Sequence, residues 1–200
     1  MKKKVIGLLF ILSLMLVIPM LFAINKDFSH IELKHYTDQE TVVKMVCADY
    51  REEYTEETLK ALTLIRYSNY KHGNNKENIK LISEKDFLKK YSKSHLEKIK
   101  NAVNSTYKKV ITYKGKIAKI PYFYCGNGHI SSNKKYPYIK DCACPWDAVN
   151  KERTDKTTGV SLNTVNYLTK QGSNCKEALG RFLDNVEITE YSSKKRERVE

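Results

Sequence analysis

A run of uncharged, mostly apolar residues from Val5 to Ile24 constrains this chain more than any other feature. About 20 such residues span the hydrocarbon core of a bilayer. Lysines at positions 2–4 precede the run, which predicts a cytoplasmic N-terminus. The run lacks a clear small-residue cleavage site, which favours an uncleaved signal anchor over a cleaved signal peptide. We therefore expect a single-pass protein of the cell membrane, with a transmembrane helix over 1–24 and residues 25–200 outside the cytoplasm.

The extracytoplasmic part is basic. Beyond residue 24 there are 33 Lys and Arg residues against 23 Asp and Glu residues, a net charge of +10. A basic surface attracts polyanions, and outside a bacterial membrane these are wall polymers. No pattern of an RNA- or DNA-binding module is present, so nucleic acid is not an expected partner. A lysine-rich proteome would produce the same composition without any specific partner.

Composition divides the rest of the chain into three segments. Residues 25–40 are polar and indicate a stalk, and residues 192–200 form a charged tail. Residues 41–191 lie between them and hold the apolar patterns of a single domain. No internal repeat or low-complexity tract interrupts this domain.

Helical patterns come mostly before strand patterns in the domain. Two segments alternate in polarity around a Lys-Gly turn, which predicts a β-hairpin. The segment Thr41–Ala48 fits either a strand or the start of a buried helix. This order indicates an α+β domain with several helices and a small antiparallel sheet. Predicted helices begin after Thr55 (with Leu59, Leu62 and Ile65 on one stripe), Ser83, Ser94, Ser161 and Ser173; the hairpin arms are Lys109–Tyr113 and Lys116–Phe123, and further strands cover Tyr138–Cys142 and Val186–Tyr191.

The cysteines allow more than one chemistry. There are five, an odd number, so at least one stays free or binds a metal if the others pair outside the cytosol. Cys125 and His129 are followed by Cys142 and Cys144, and thiolates with an imidazole can hold Zn²⁺. The same spacing allows a disulfide from Cys125 to Cys142 or Cys144, or free thiols.

One carboxylate, Asp49, stands just ahead of an acidic turn and a predicted helix. A carboxylate in such a position can act as a general acid or base, although many loop aspartates are simply solvated. The G-x-S-x-G, H-E-x-x-H and P-loop signatures are absent from the sequence, which argues against the usual serine hydrolases, zinc proteases and nucleotide enzymes.

Four sequence blocks in a fixed order extend over roughly residues 41–150. They are Cys47-Ala48-Asp49-Tyr50-Arg51 with Glu57-Thr58-Leu59-Lys60-Ala61, the stretch from Ile99 to Gly115, the stretch from Tyr122 to Gly128, and Tyr136–Lys140 with Cys144-Pro145-Trp146-Asp147. In this order they resemble the stage II sporulation protein D family, also called the SpoIID/LytB domain. That family opens with A-S-E-M-P and a helix of the type E-A-L-K-A-Q-A, and it continues with a helix, a hairpin, a glycine-bearing loop and a P-Y-L segment.

The resemblance implies a membrane-anchored lytic transglycosylase of sporulation. Such a protein cleaves peptidoglycan glycan strands that have lost their stem peptides, and it acts with other sporulation membrane proteins during forespore engulfment. Asp49 stands where the family has its catalytic Glu. One acid suffices, because it protonates the glycosidic oxygen and then helps a hydroxyl of the same sugar close an anhydro ring, unlike the paired acids of most glycosidases. The family's arginine falls on Tyr67, one position from Arg66, so the resemblance makes Arg66 and Tyr67 further candidate catalytic residues.

The resemblance also assigns two groups of residues further along the chain. It places Gly126, Asn127 and Gly128 in a substrate-binding loop. It favours a structural zinc ion, since some clostridial relatives bind zinc through His and Cys in this region; the ligands here would be Cys125, His129, Cys142 and Cys144. Because Asp replaces Glu at position 49 and the arginine is displaced, the alternative is a catalytically degenerate module that binds peptidoglycan and assists other wall hydrolases.

Overall fold

The computed structural model describes residues 37–73 and 79–192. Among these residues, no helix is both long and apolar enough to cross a bilayer. The predicted transmembrane helix over 1–24 lies outside the described residues, as do most of the predicted stalk and all but the first residue of the predicted tail. The described residues belong to one compact unit, Thr37–Glu200.

Helices and short strands share this unit, which confirms the expectation of an α+β domain. The helices are α1 (Asp38–Ala48), α2 (Glu56–His72), α3 (Glu84–Leu88), α4 (Lys93–Thr106), α5 (Pro145–Ala148), α6 (Leu162–Lys170) and α7 (Cys175–Gly180). The strands are β1 (Lys109–Tyr113), β2 (Lys116–Ile117), β3 (Tyr122–Phe123), β4 (His129–Ile130), β5 (Cys142–Ala143), β6 (Val160–Ser161) and β7 (Val186–Glu190).

Helix α2 is the centre of the fold. Its N-cap is Thr55, as predicted, and the Thr55 hydroxyl accepts a hydrogen bond from the backbone N–H of Thr58. The predicted stripe of Leu59, Leu62 and Ile65 is fully buried. Burial extends around most of the helix, because α1, α4, α6, α7 and β1 all pack against it. The apolar stripe in the sequence marks only one face of the helix and therefore underestimates how much of the helix is buried.

Helix α1 settles the two readings of Thr41–Ala48 in favour of a helix. Thr37 and Glu40 form a capping box at its start, so the predicted stalk ends before residue 38 rather than at residue 40. The helix ends at Ala48, and the backbone N–H of Asp49 donates to the carbonyl of Val46. Asp49 is thus the C-cap of α1, and this fixes its backbone.

The predicted hairpin is confirmed for its first half only. Strands β1 and β2 pair antiparallel around Lys114 and Gly115, which both have positive φ, and β7 pairs with the other edge of β1. The second predicted arm does not continue to Phe123. Pro121 has no N–H to donate, and the chain leaves the sheet before it. Beyond it, β3 pairs in parallel with β6.

Other boundaries differ by a few residues. The predicted strand over Tyr138–Cys142 is wrong except for its last residue, which pairs in β5 with β4; Ile139 makes only an isolated bridge to Leu183. Ser83 and Ser161 cap helices as predicted. The predicted cap at Ser173 is replaced by Asn174, whose capping box with Glu177 satisfies two backbone donors. Helix α4 begins at Lys93, one residue before the predicted Ser94.

Candidate functional site

Asp49 meets two side chains from other parts of the chain. Arg66, on α2, forms an ion pair with the Asp49 carboxylate through Oδ2. The hydroxyl of Tyr122, on β3, donates to the same oxygen at 2.6 Å. The guanidinium carbon of Arg66 lies 5.3 Å from the centre of the Tyr122 ring, so the three groups form one cluster. The Asp49 side chain keeps 24% of its surface exposed, and that of Arg66 keeps 12%.

Tyr122 is a hydrogen-bond donor in this cluster. Burial raises the pKa of Tyr122 well above its usual range, and the neighbouring Asp49 charge raises it further against the opposing effect of Arg66. The phenol therefore keeps its proton at neutral pH. It can orient the carboxylate, but it does not supply a phenolate base.

This cluster opens into a groove of about 730 Å³. We call it the Asp49 groove. Tyrosines dominate its walls, and acidic side chains also line it. Its lining residues are Ala48, Asp49, Tyr50, Arg51, Glu52, Glu53, Tyr54, Lys90, Tyr91, Tyr122, Phe123, Tyr124 and Leu162. Concave sites with aromatic walls and a few converging polar groups are the usual form of small-molecule and oligosaccharide sites.

Tyr50 connects the groove to the core. Its ring packs edge-on against Phe87 and Tyr91, at centroid distances of 5.3 and 4.9 Å, and lies 5.7 Å from the ring of His95. Burial raises the pKa of Tyr50 to about 12, so its hydroxyl stays protonated at neutral pH. In the described part of the chain this buried hydroxyl has no hydrogen-bond partner. Such a donor is uncommon in a folded interior.

The groove has a polar rim built around one aromatic ring. Arg51 lies flat on Tyr124, with its guanidinium carbon 3.3 Å from the ring centre. Its two terminal nitrogens donate to the two carboxylate oxygens of Glu152 at 3.0 and 2.6 Å. A bidentate pair on an aromatic face holds the guanidinium in one orientation. The rim therefore joins the end of α1 to the loop after α5.

A fully buried carboxylate, Asp147, holds the loop that follows β3. Its Oδ2 accepts the backbone N–H of Gly126 at 2.8 Å. Its Oδ1 accepts hydrogen bonds from Ser161, Asn163 and Thr164 at 2.9 to 3.0 Å. Four donors from two segments satisfy this buried charge. They also fix the course of the chain beside Tyr124.

The structure brings Asp49 and Arg66 together but separates them from Tyr67. Tyr67 is buried on another side of α2, where its ring faces Tyr107 and Tyr191 at 5.9 and 6.1 Å. Consecutive residues of an α-helix point about 100° apart, so Arg66 faces Asp49 while Tyr67 faces Tyr107 and Tyr191.

The predicted substrate loop lies beside the groove and is absent from its lining. A Cβ on Gly126 would lie 2.7 Å from the Lys156 carbonyl oxygen, and a Cβ on Gly128 would lie 2.8 Å from the Ala148 side chain. The Asn127 side chain accepts the backbone N–H of His129. These contacts explain why small residues occur here, namely close packing. A substrate-binding role for Gly126, Asn127 and Gly128 stays a prediction.

The predicted zinc ligands are not gathered into one site. In the described ranges, no group of three or more His, Cys, Asp or Glu side chains is arranged to hold a metal ion. Cys125 is buried and its thiol faces the backbone carbonyls of Gly126 and Asp147, while His129 is exposed and lies 3.9 Å from Asp141. Cys142 and Cys144 adjoin each other, and all five cysteines are free thiols. Zinc binding through Cys125, His129, Cys142 and Cys144 stays a prediction.

No protein-family model matches this chain, and no curated protein is significantly similar to it in sequence. The resemblance to the stage II sporulation protein D family therefore stays an expectation from the sequence blocks.

Several residues of the site escape a reading of the sequence alone. Tyr122 lies 73 residues from Asp49, and Glu152 lies 101 residues from Arg51. Neither has a local pattern that marks it as part of a site. The only signal was indirect: Tyr122 belongs to a sequence block that resembles a loop near the family's active centre.

Proposed function

We propose that the Asp49 groove binds a glycan strand of peptidoglycan and that Asp49 is the single acid/base of a lytic transglycosylase. The observation that carries this proposal is the convergence of Arg66 and Tyr122 on one oxygen of a carboxylate that lines an open, tyrosine-walled groove. A carboxylate with two partners on one oxygen is pre-oriented, and orientation is a large part of what an active site contributes to rate.

The chemistry needs one proton donor and one proton acceptor in sequence. The protonated Asp49 carboxyl gives its proton to the glycosidic oxygen as the bond from that oxygen to the anomeric carbon breaks. The Asp49 carboxylate then takes the proton of a hydroxyl on the same sugar, and that hydroxyl oxygen bonds to the anomeric carbon. The anhydro ring closes, the Asp49 carboxyl regains its proton, and no water is consumed.

The partners of Asp49 divide its two oxygens between two tasks. Arg66 and Tyr122 both contact Oδ2. We therefore assign Oδ1 to proton transfer and Oδ2 to orientation. Arg66 also stabilises the negative charge that Asp49 carries in the middle of the reaction. The tyrosine rings of the walls suit the apolar faces of sugar rings.

The cellular setting follows from the sequence resemblance. We place the domain on the outer side of the cell membrane, held by an N-terminal helix, and we assign it to forespore engulfment alongside other sporulation membrane proteins. Strands without stem peptides are the proposed substrate class.

A second function has one specific observation in its favour. The Asp49 charge is already paired with Arg66, and Asp is one methylene shorter than the Glu of the family. Misplacement of a catalytic group by about 1 Å can lower a rate on the order of a hundredfold. Under this alternative the groove binds glycan strands without cleaving them and assists other wall hydrolases.

Product analysis separates the two functions. The full chain, purified in detergent, is incubated with peptide-free glycan strands, and the strand ends are analysed by mass spectrometry. Anhydro ends that disappear in Asp49→Asn and persist in the control Asp155→Asn, a change of an exposed carboxylate, support the transglycosylase. Strand binding without new ends supports the binding module. Absence of binding contradicts both.

A further inference from the structure

A second groove lies on the hairpin and is lined by none of the residues that line the Asp49 groove. Its volume is about 600 Å³. Three exposed lysines and three tyrosines dominate its lining: Tyr113, Lys114, Lys116, Lys135, Tyr136 and Tyr138. We call it the hairpin groove. No acidic side chain of the described residues lines it.

Four lysines elsewhere in the domain have acidic partners, which the three exposed lysines of the hairpin groove lack among the described residues. Lys60, Lys71, Lys89 and Lys100 each form an ion pair with a carboxylate. Within the described ranges, Lys114, Lys116 and Lys135 form none. A general excess of lysine would not by itself concentrate unpaired cations in one concave surface. Among the residues that the structure describes, no carboxylate lines the groove to offset their positive field.

The positions of the lysines are fixed by the local fold. Lys114 occupies the tight turn between β1 and β2, and Lys116 begins β2. Lys135 comes from a separate loop. Its own backbone N–H donates to the Asn133 side chain at 2.8 Å. The cations therefore come from two separate segments of the chain.

Tyrosine rings form the surface between these cations. Tyr138 packs against Tyr113 at 5.2 Å and against Tyr136 at 6.3 Å, and its hydroxyl donates to the Lys119 carbonyl at 2.6 Å. The Lys114 and Lys135 ammonium groups lie 5.3 and 5.6 Å from the rings of Tyr113 and Tyr136. Each of these ammonium groups is thus held over an aromatic face, at cation–π distance.

We propose that the hairpin groove binds a linear polymer of phosphodiester-linked polyol units. Lysines bind phosphate as point charges, and three of them distributed across one groove suit a chain with repeated anionic groups rather than a single ion. The tyrosine surface between them contacts the carbon units that separate the phosphates. Outside a bacterial membrane such a polymer would hold the domain at the wall. This proposal does not depend on the activity of Asp49.

Calorimetric titration of the full chain in detergent with synthetic poly(glycerol phosphate) tests the proposal. We expect binding that weakens as salt rises, because exposed charges are screened. Replacing the three groove lysines together by Gln should weaken it about tenfold, and each single replacement about twofold, as exposed ion pairs of this kind contribute modestly. The matched control replaces three exposed lysines elsewhere, Lys85, Lys170 and Lys176, by Gln.

Three results would overturn the proposal. They are no binding even at low salt, an equal loss in the groove variant and in the matched control, or tighter binding of single-stranded oligo-dT than of poly(glycerol phosphate) at equal phosphate concentration. The single-lysine variants keep the test valid if the triple variant unfolds, which circular dichroism would reveal. Cleavage of glycan strands should be unaffected by the groove variant, so failure here is distinguishable from failure at Asp49.

Discussion

Asp147 provides the sharpest prediction about how the site is held. The change is Asp147→Ala, which removes a buried carboxylate and leaves its neighbours in place. Four donors lose their acceptor: the N–H of Gly126 and the side chains of Ser161, Asn163 and Thr164. The loop beside Tyr124 then loses its attachment to the start of α6.

The size of the loss in the free energy of unfolding depends on whether each of these four donors finds another acceptor. A buried donor without an acceptor costs about 1–3 kcal/mol. The Asn163 amide also donates to the Trp146 carbonyl, and the Ser161 hydroxyl also reaches the Tyr124 carbonyl, so these two recover part of their loss. Removing the buried charge also removes its own desolvation cost. Together these effects give a loss of about 4 kcal/mol, a large share of the 5–15 kcal/mol that is typical of a domain.

Urea unfolding monitored by circular dichroism measures this loss, with the exposed Asp155→Ala as the control. We expect Asp155→Ala to change the free energy of unfolding by less than about 0.5 kcal/mol. The loss for Asp147→Asn should lie between the losses for Asp147→Ala and Asp155→Ala. The introduced amide keeps one acceptor oxygen, but its NH₂ group faces another hydrogen-bond donor. A loss below about 1 kcal/mol for Asp147→Ala would refute the reasoning that this carboxylate organises the loop.

Two substitutions and one pH-dependent alkylation test the helix cap, the partner of Asp49 and the Cys142 thiol. Thr55→Ala removes the N-cap of α2 and should lower the free energy of unfolding by about 1 kcal/mol, measured by urea unfolding. Arg66→Met removes the partner of Asp49 and should lower the rate of anhydro-end formation about a hundredfold, while Arg66→Lys restores part of it. The hydrogen bond from Cys144 lowers the pKa of Cys142 below that of an ordinary thiol, so its alkylation by iodoacetamide should reach half its maximal rate at a lower pH than that of a free cysteine.

Controls and contrary outcomes are specific to each change. Thr55→Ser keeps a capping hydroxyl and should be nearly neutral; a loss equal to that of the alanine variant would count against the cap. Equal rates for Arg66→Met and the unchanged protein would exclude Arg66 from the chemistry. For the thiols, buried Cys47 is the internal comparison, since burial raises its pKa to about 12. Alkylation of Cys47 before Cys142 across the pH range would contradict the assignment.

Local signals predicted the helices better than the strands. Thr55 and the stripe that follows it fixed α2 because capping and helical periodicity act over a few residues. The hairpin prediction extended too far because alternation continues past Ile117, whereas Pro121 interrupts the ladder. In the parallel pairing of β3 with β6, Tyr122 lies opposite Val160, which is 38 residues further along the chain. No local pattern encodes such a pairing.

The candidate site was predictable only in part for the same reason. Asp49 follows from its place ahead of α2 and from the resemblance of its block. Arg66 and Tyr67 were both candidates from the sequence, because neighbouring positions in a sequence do not show which side of a helix faces the carboxylate. Tyr122 and Asp147 act through long-range contacts, which a single sequence does not reveal. Three-dimensional packing thus brings together only some of the residues that a sequence offers as candidates.

The origin of the oxygen at newly formed strand ends tests the central claim most directly. Peptide-free glycan strands are incubated with the full chain in water enriched in ¹⁸O, and the ends are analysed by mass spectrometry. The account predicts anhydro ends without ¹⁸O, formed by the unchanged protein and lost in Asp49→Asn. Ends that carry ¹⁸O, or anhydro ends formed equally by Asp49→Asn, would contradict it.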